Sequence, residues 1–108
     1  MDIQVESRGD RKVVRIKGKI TVEHCAAMQS ELDRVLEPGI VEVVVDFREV
    51  PFIDSSGVGE ILRLFRLVRE GQGVVTLINP NKKLRTVFAL YRFEKFIQIR
   101  DNVAMGQE

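Results

Sequence analysis

The chain has 108 residues and a mass of 12.3 kDa, enough for one domain built on a single apolar core. Its 17 basic and 16 acidic residues leave a net charge of +1 and are interleaved along the chain, which excludes the clustered basic face that nucleic-acid binding uses. One cysteine, Cys25, and one histidine, His24, leave no internal disulfide and no Cys- or His-based metal site, and no apolar run approaches the roughly 20 residues of a membrane span. Met1-Asp2-Ile3-Gln4 carries neither the basic head nor the apolar core of a secretion signal, so a cytoplasmic location without membrane insertion is expected.

Ile3 and Val5 open a short strand, Ser7 to Arg11 reads as a turn, and Val13 to Ile16 reads as the returning arm of a hairpin that Gly18 ends. Thr21 stands where it would cap a helix over Val22 to Leu36. Cys25, Met28, Leu32 and Val35 or Leu36 recur there at helical spacing, and Pro38-Gly39 stops the run. Ile40 to Phe47 is nearly continuous in β-branched residues, the pattern of a strand covered on both faces. A second helix is expected from about Ser56 to Glu70, ended by Gly71-Gln72-Gly73. At about 100° per residue, Val58, Ile61, Leu62, Phe65 and Val68 share the arc that faces the sheet. Gly59, Glu60, Arg63, Arg66 and Leu67 fall on the outer side, with Leu64 at its edge. Val74 to Ile78 is a further central strand. Asn79-Pro80-Asn81 opens a third helix with Leu84, Val87, Phe88 and Tyr91 inward, Phe96 to Ile99 forms a last strand, and Asp101 to Glu108 is a polar, partly helical tail.

The order β-β-α-β-α-β-α-β predicts one α/β domain over residues 1–108: a central mixed sheet of four to five strands with three to four helices packed against it. In such a sheet, strand ends that feed helices form the functional edge. Asp54-Ser55-Ser56-Gly57-Val58-Gly59 lies on that edge, after Val43 to Phe47 and Pro51-Phe52-Ile53. A helix start offers unsatisfied N–H groups and a partial positive charge, so a serine there can carry a phosphoryl group. Gly57 and Gly59 keep side chains away, which would let a partner's backbone or a phosphate come close.

These residues give the chain a resemblance to the STAS family of bacterial anti-sigma factor antagonists. It extends over nearly the whole length, through Gly18-Lys19-Ile20-Thr21, the Asp54-to-Gly59 motif and Leu84-Arg85-Thr86-Val87-Phe88. The resemblance implies a non-enzymatic member of a partner-switching cycle, without cofactor, that releases a sigma factor by binding an anti-sigma factor. That partner would be a serine kinase of histidine-kinase-like ATPase fold. It would phosphorylate Ser55, ending the complex, and a serine phosphatase would reverse the mark. Asp54, Ser56, Gly57 and Gly59 would be the phosphosite's neighbours; Thr21, Glu60, Arg63, Arg66 and Leu67 would form the partner surface, with Leu67 as an exposed apolar anchor among arginines. The family usually shows Gly-Glu-x-Asp at the start of its first helix; Lys19 and Thr21 replace the two acids here and change the local charge.

Other readings compete for the same residues. A hydrolase would need a base for Ser55 or Ser56, and His24 is the only imidazole; Ile53 stands where a Gly-x-Ser-x-Gly elbow centred on Ser55 needs its first glycine. A dinucleotide site on Gly57-Val58-Gly59 would need a third glycine where Leu62 stands. STAS-like chains also resemble cytosolic subunits that brace the ATPase of lipid-transport complexes, and scaffold members of signalling assemblies. The bound partner distinguishes these from the switch.

Overall fold

Gly9, at φ +66°, takes the first place of a two-residue turn that folds β1 (Asp2–Arg8) antiparallel onto β2 (Arg11–Lys17). In this computed structural model, which describes residues 1–101, the chain then runs through a 3₁₀ turn (Val22–His24), α1 (Cys25–Asp33), β3 (Glu42–Glu49) and α2 (Ser55–Glu70). It continues through β4 (Val74–Ile78), α3 (Lys82–Leu90), a second 3₁₀ turn (Phe93–Lys95) and β5 (Gln98–Arg100). The sheet has the strand order β1-β2-β3-β4-β5, parallel from β2 onward. Residues 102–108, most of the expected polar tail, lie outside the described residues.

The expected mixed α/β sheet is present, but its two faces differ. Met28 and Leu32 of α1, Val58, Ile61, Leu64 and Val68 of α2, and Leu84 and Phe88 of α3 share one core with Val14, Ile16, Val43, Val45, Phe47, Val75 and Leu77 of the strands. The opposite face holds a small cluster of Val13, Val44 and Ile78 that contains no helical residue. β3 is nevertheless covered on both faces, as its apolar run implies: Val43, Val45 and Phe47 lie under the helices, and Val44 and Asp46 are buried on the other face. On the other side long charged side chains reach across the strands: Arg11 Nε donates to Glu42 at 2.9 Å, and Thr76 Oγ1 donates to Glu42 at 2.6 Å.

Several boundaries move for local reasons. The first helix is shorter than Val22 to Leu36, because Arg34, Val35 and Leu36 bond back only three residues and tighten the chain before Pro38. The central strand starts at Glu42, where pairing with both β2 and β4 begins, and Ile40-Val41 belongs to the connection. Tyr91 is exposed instead of inward. Arg92 turns left-handed at φ 58° and sends Phe93 into the core, where it stacks on Phe88 at 4.9 Å. Phe96 and Ile97 then bond back to Phe93, so β5 begins at Gln98, not at Phe96. The left-handed residue that ends α2 is Gln72 at φ 68°, between the two glycines; Gly73 N–H reaches Val68 O at 2.9 Å, closing the helix end.

Candidate functional site

Beyond β2 and β3 the chain keeps the two strands in step. Ile20 and Ile53 form an isolated parallel bridge, Ile20 N–H donates to Phe52 O at 3.0 Å, and Asp54 N–H donates to Ile20 O at 3.1 Å. This delivers Asp54 to the start of α2 as its N-cap. Its Oδ1 accepts from Gly57 N–H at 2.9 Å, and its Oδ2 accepts from Val22 N–H at 3.0 Å, at the start of the preceding 3₁₀ turn. One carboxylate thus ties two helix starts together. The Thr21 hydroxyl does not cap its own helix: the His24 amide donates to the Thr21 carbonyl at 2.9 Å, and the hydroxyl lies 3.3 Å from His24 Nδ1.

Ser55 is the first residue of α2, one earlier than expected, and is exposed; Ser56 is half-buried. The two glycines differ. Gly57 is buried, and an added Cβ would meet Ile20 Cγ2 and Ile53 Cγ1 at 2.7 Å and Ile20 O at 2.9 Å. It lets the molecule's own loop approach, not a partner. Gly59 is exposed, with nothing within 4 Å of an added Cβ, so it leaves the surface beside Ser55 open.

The outer side of α2 divides in two. Ser55, Gly59, Leu62 and Arg66, spaced for one helical stripe, hold three exposed positions and the half-buried Leu62. Arg63 turns toward α1, donating to Asp33 Oδ1 at 2.5 Å and standing 3.7 Å from Glu60; Glu60, Arg63 and Leu67 are all half-buried. Leu67 is therefore not a fully exposed anchor. Leu64, expected at the edge, is wholly buried, while Leu62 and Phe65 are only half-buried. The sheet-facing arc is rotated by about half a residue step from the expected one. Sequence reasoning missed the Leu62 stripe and the exposure of Phe52; counting helical steps from Ser55 instead of from the apolar run would have found the stripe.

Carboxylates gather around this point. Burial, followed by the charges of Glu60, Asp54 and Glu23, pushes the Cys25 thiol up from its ordinary value. Glu23's own backbone amide and the Thr21 hydroxyl hold its carboxyl below the ordinary range. A carboxylate thus returns to the neighbourhood in which Lys19 and Thr21 stand for acids. Among the described residues no group of three or more His, Cys, Asp or Glu could hold a metal ion, and no helix is long and apolar enough to cross a membrane.

The model of the STAS domain matches residues 2–105. An anti-sigma F factor antagonist from Paenibacillus polymyxa is 25% identical over 105 residues, covering 94% of this chain and 90% of that protein. Among solved structures, the anti-sigma factor antagonist SpoIIAA in its unphosphorylated form superposes with a TM-score of 0.73 at 21% identity, covering 98% of this chain and 92% of the other. The phosphorylated form of the Bacillus cell fate determinant SpoIIAA gives 0.76 at 20% identity, covering 98% and 95%.

Proposed function

The chain belongs to the STAS domain family, and from that premise we propose that it is an anti-sigma factor antagonist, cytoplasmic and regulatory rather than catalytic, switched by phosphorylation of Ser55. The observation that carries this reading is the exposed Ser55 hydroxyl at the first position of α2, beside a carboxylate that four hydrogen-bonding contacts hold in place, two to its backbone and two to its side chain. The names of the relatives support an anti-sigma factor as partner, and the phosphorylated form of the Bacillus protein supports the modification.

The energetics favour a switch in binding over a switch in folding. A phosphate brings about −1.5 to −2 charges and three acceptor oxygens. The helix start offsets roughly 0.3–1 kcal/mol of its cost at an exposed position. Asp54 and Glu23 already make the surroundings negative, so the added charge is tolerable in water and costly once a partner excludes water from it. The partner covers Ser55 and Gly59, with Leu62 and Arg66 continuing the contact along α2; Glu60, Arg63, Leu67 and Thr21 frame it from the α1 side. The partner is an anti-sigma factor that is also a serine kinase of histidine-kinase-like ATPase fold, and a serine phosphatase resets the cycle.

The test is incubation with the partner kinase recovered from the native host, with ATP, followed by mass spectrometry of the protein. One phosphate on Ser55 and loss of the complex are expected. A phosphate on another residue, or none with a kinase active on a control substrate, contradicts the reading.

A further inference from the structure

At the opposite side of the sheet from β5, β1 pairs only with β2 among the described residues, so its outer row of backbone donors and acceptors is open. Edge strands are usually blunted by proline, a bulge or charged side chains. β1 has no proline and no bulge, since its seven residues, Asp2–Arg8, pair with β2 in unbroken register; its charges, Asp2, Glu6 and Arg8, are of both signs, and Val5 at the midpoint is 41% exposed.

We infer that β1 pairs with β1 of a second copy of this chain, antiparallel and with Val5 opposite Val5, joining two sheets across a two-fold axis. The register follows from the charges. With Val5 on the axis, Asp2 lies opposite Arg8 of the second copy at both ends, Gln4 lies opposite Glu6, and Ile3 opposite Ser7. Centring on Gln4 instead sets Asp2 against Glu6, and centring on Glu6 sets Glu6 against itself. Odd offsets bring Val5 opposite Gln4 or Glu6 and turn the helical layers to opposite faces. Only one alignment pairs opposite charges, buries the exposed valine and keeps both helical layers on one side.

Within one chain Arg8 is held by Glu6 at 2.6 Å, so in the pair it would stand between Glu6 and the second copy's Asp2. Ser55 follows β3 in the middle of the sheet, so both copies would keep their α2 surfaces open.

The charge pattern supplies a test that separates this register from general stickiness. Arg8→Asp gives a chain with acids at both positions, and Asp2→Arg gives one with cations at both. Sedimentation equilibrium of the full chain between about 10 µM and about 1 mM is expected to show a dimer for the wild type, with Kd raised about tenfold or more in each variant alone. An equimolar mixture of the two variants is expected to recover the dimer as a heterodimer. Circular dichroism of each variant verifies folding, and Val5→Lys, at an exposed position, gives a monomer independently of the charges. A wild type monomeric at about 1 mM, a dimer indifferent to these substitutions, or a mixture that stays monomeric overturns the inference.

Discussion

The starts of α2 and α3 use the same device toward different ends. Each comes after a central parallel strand and opens on a capping side chain: Asp54 Oδ1 accepts from Gly57 N–H at 2.9 Å, and Asn81 Oδ1 accepts from Leu84 N–H at 2.8 Å. Each cap also reaches sideways. Asp54 takes Val22 N–H, and Asn81 Nδ2 donates to Val50 O at 3.4 Å and Pro51 O at 3.3 Å. The first turns of the two helices differ. After Asp54 come Ser55, Ser56 and Gly57, with no long side chain over the first turn; after Asn81 come Lys82 and Lys83, both exposed. Capping is thus structural at both junctions. The small exposed hydroxyl beside a fixed carboxylate is found only at the first.

Gly57 offers the largest break in that comparison. Gly57→Ala pushes a Cβ to within 2.9 Å of the Ile20 carbonyl, a backbone atom that can move only with the bridge it belongs to, and is expected to cost about 2–3 kcal/mol. Gly59→Ala, two residues on, meets open space and gains helix propensity, a stabilisation of roughly 0.5–1 kcal/mol. Chemical denaturation of the two variants reads both signs; a common sign would contradict the division of labour between the glycines.

The caps themselves come next. Asp54→Ala removes acceptors from two helix starts and is expected to cost about 2 kcal/mol, against about 1 kcal/mol for Asn81→Ala. Asp54→Asn, with one acceptor oxygen for two donors, falls between. Urea midpoints of the three variants test the ranking, and equal losses for Asp54→Ala and Asn81→Ala would remove the second helix start from the account.

Much of the architecture is legible in the sequence because it is written in local patterns. The apolar runs ending at Phe47 and Ile78, the stops near Pro38 and Gly71, and Asp54-Ser55-Ser56-Gly57 as a helix start each depend on neighbours in sequence. Contacts between distant segments leave no such mark. Nothing near Thr21 announces that Asp54 will take the Val22 amide. Tyr91 and Phe93 are equally suited to a core, and the left-handed turn at Arg92 decides between them. The outer face of α2 around Leu67 escapes the sequence because helical periodicity places the sheet-facing side only to within about half a residue step and carries no mark of α1, whose Asp33 draws Arg63 to that side.

The central claim is that the Ser55 hydroxyl governs docking without supporting the fold. Isothermal titration of the anti-sigma partner into the wild type, Ser55→Ala and Ser55→Asp, with a thermal melt of each, tests it most directly. Wild-type affinity is predicted for Ser55→Ala and at least about tenfold weaker binding for Ser55→Asp, with melting temperatures within a few degrees of one another. Equal affinity for all three forms, or a loss of binding by Ser55→Asp that tracks a loss of folding, would contradict it.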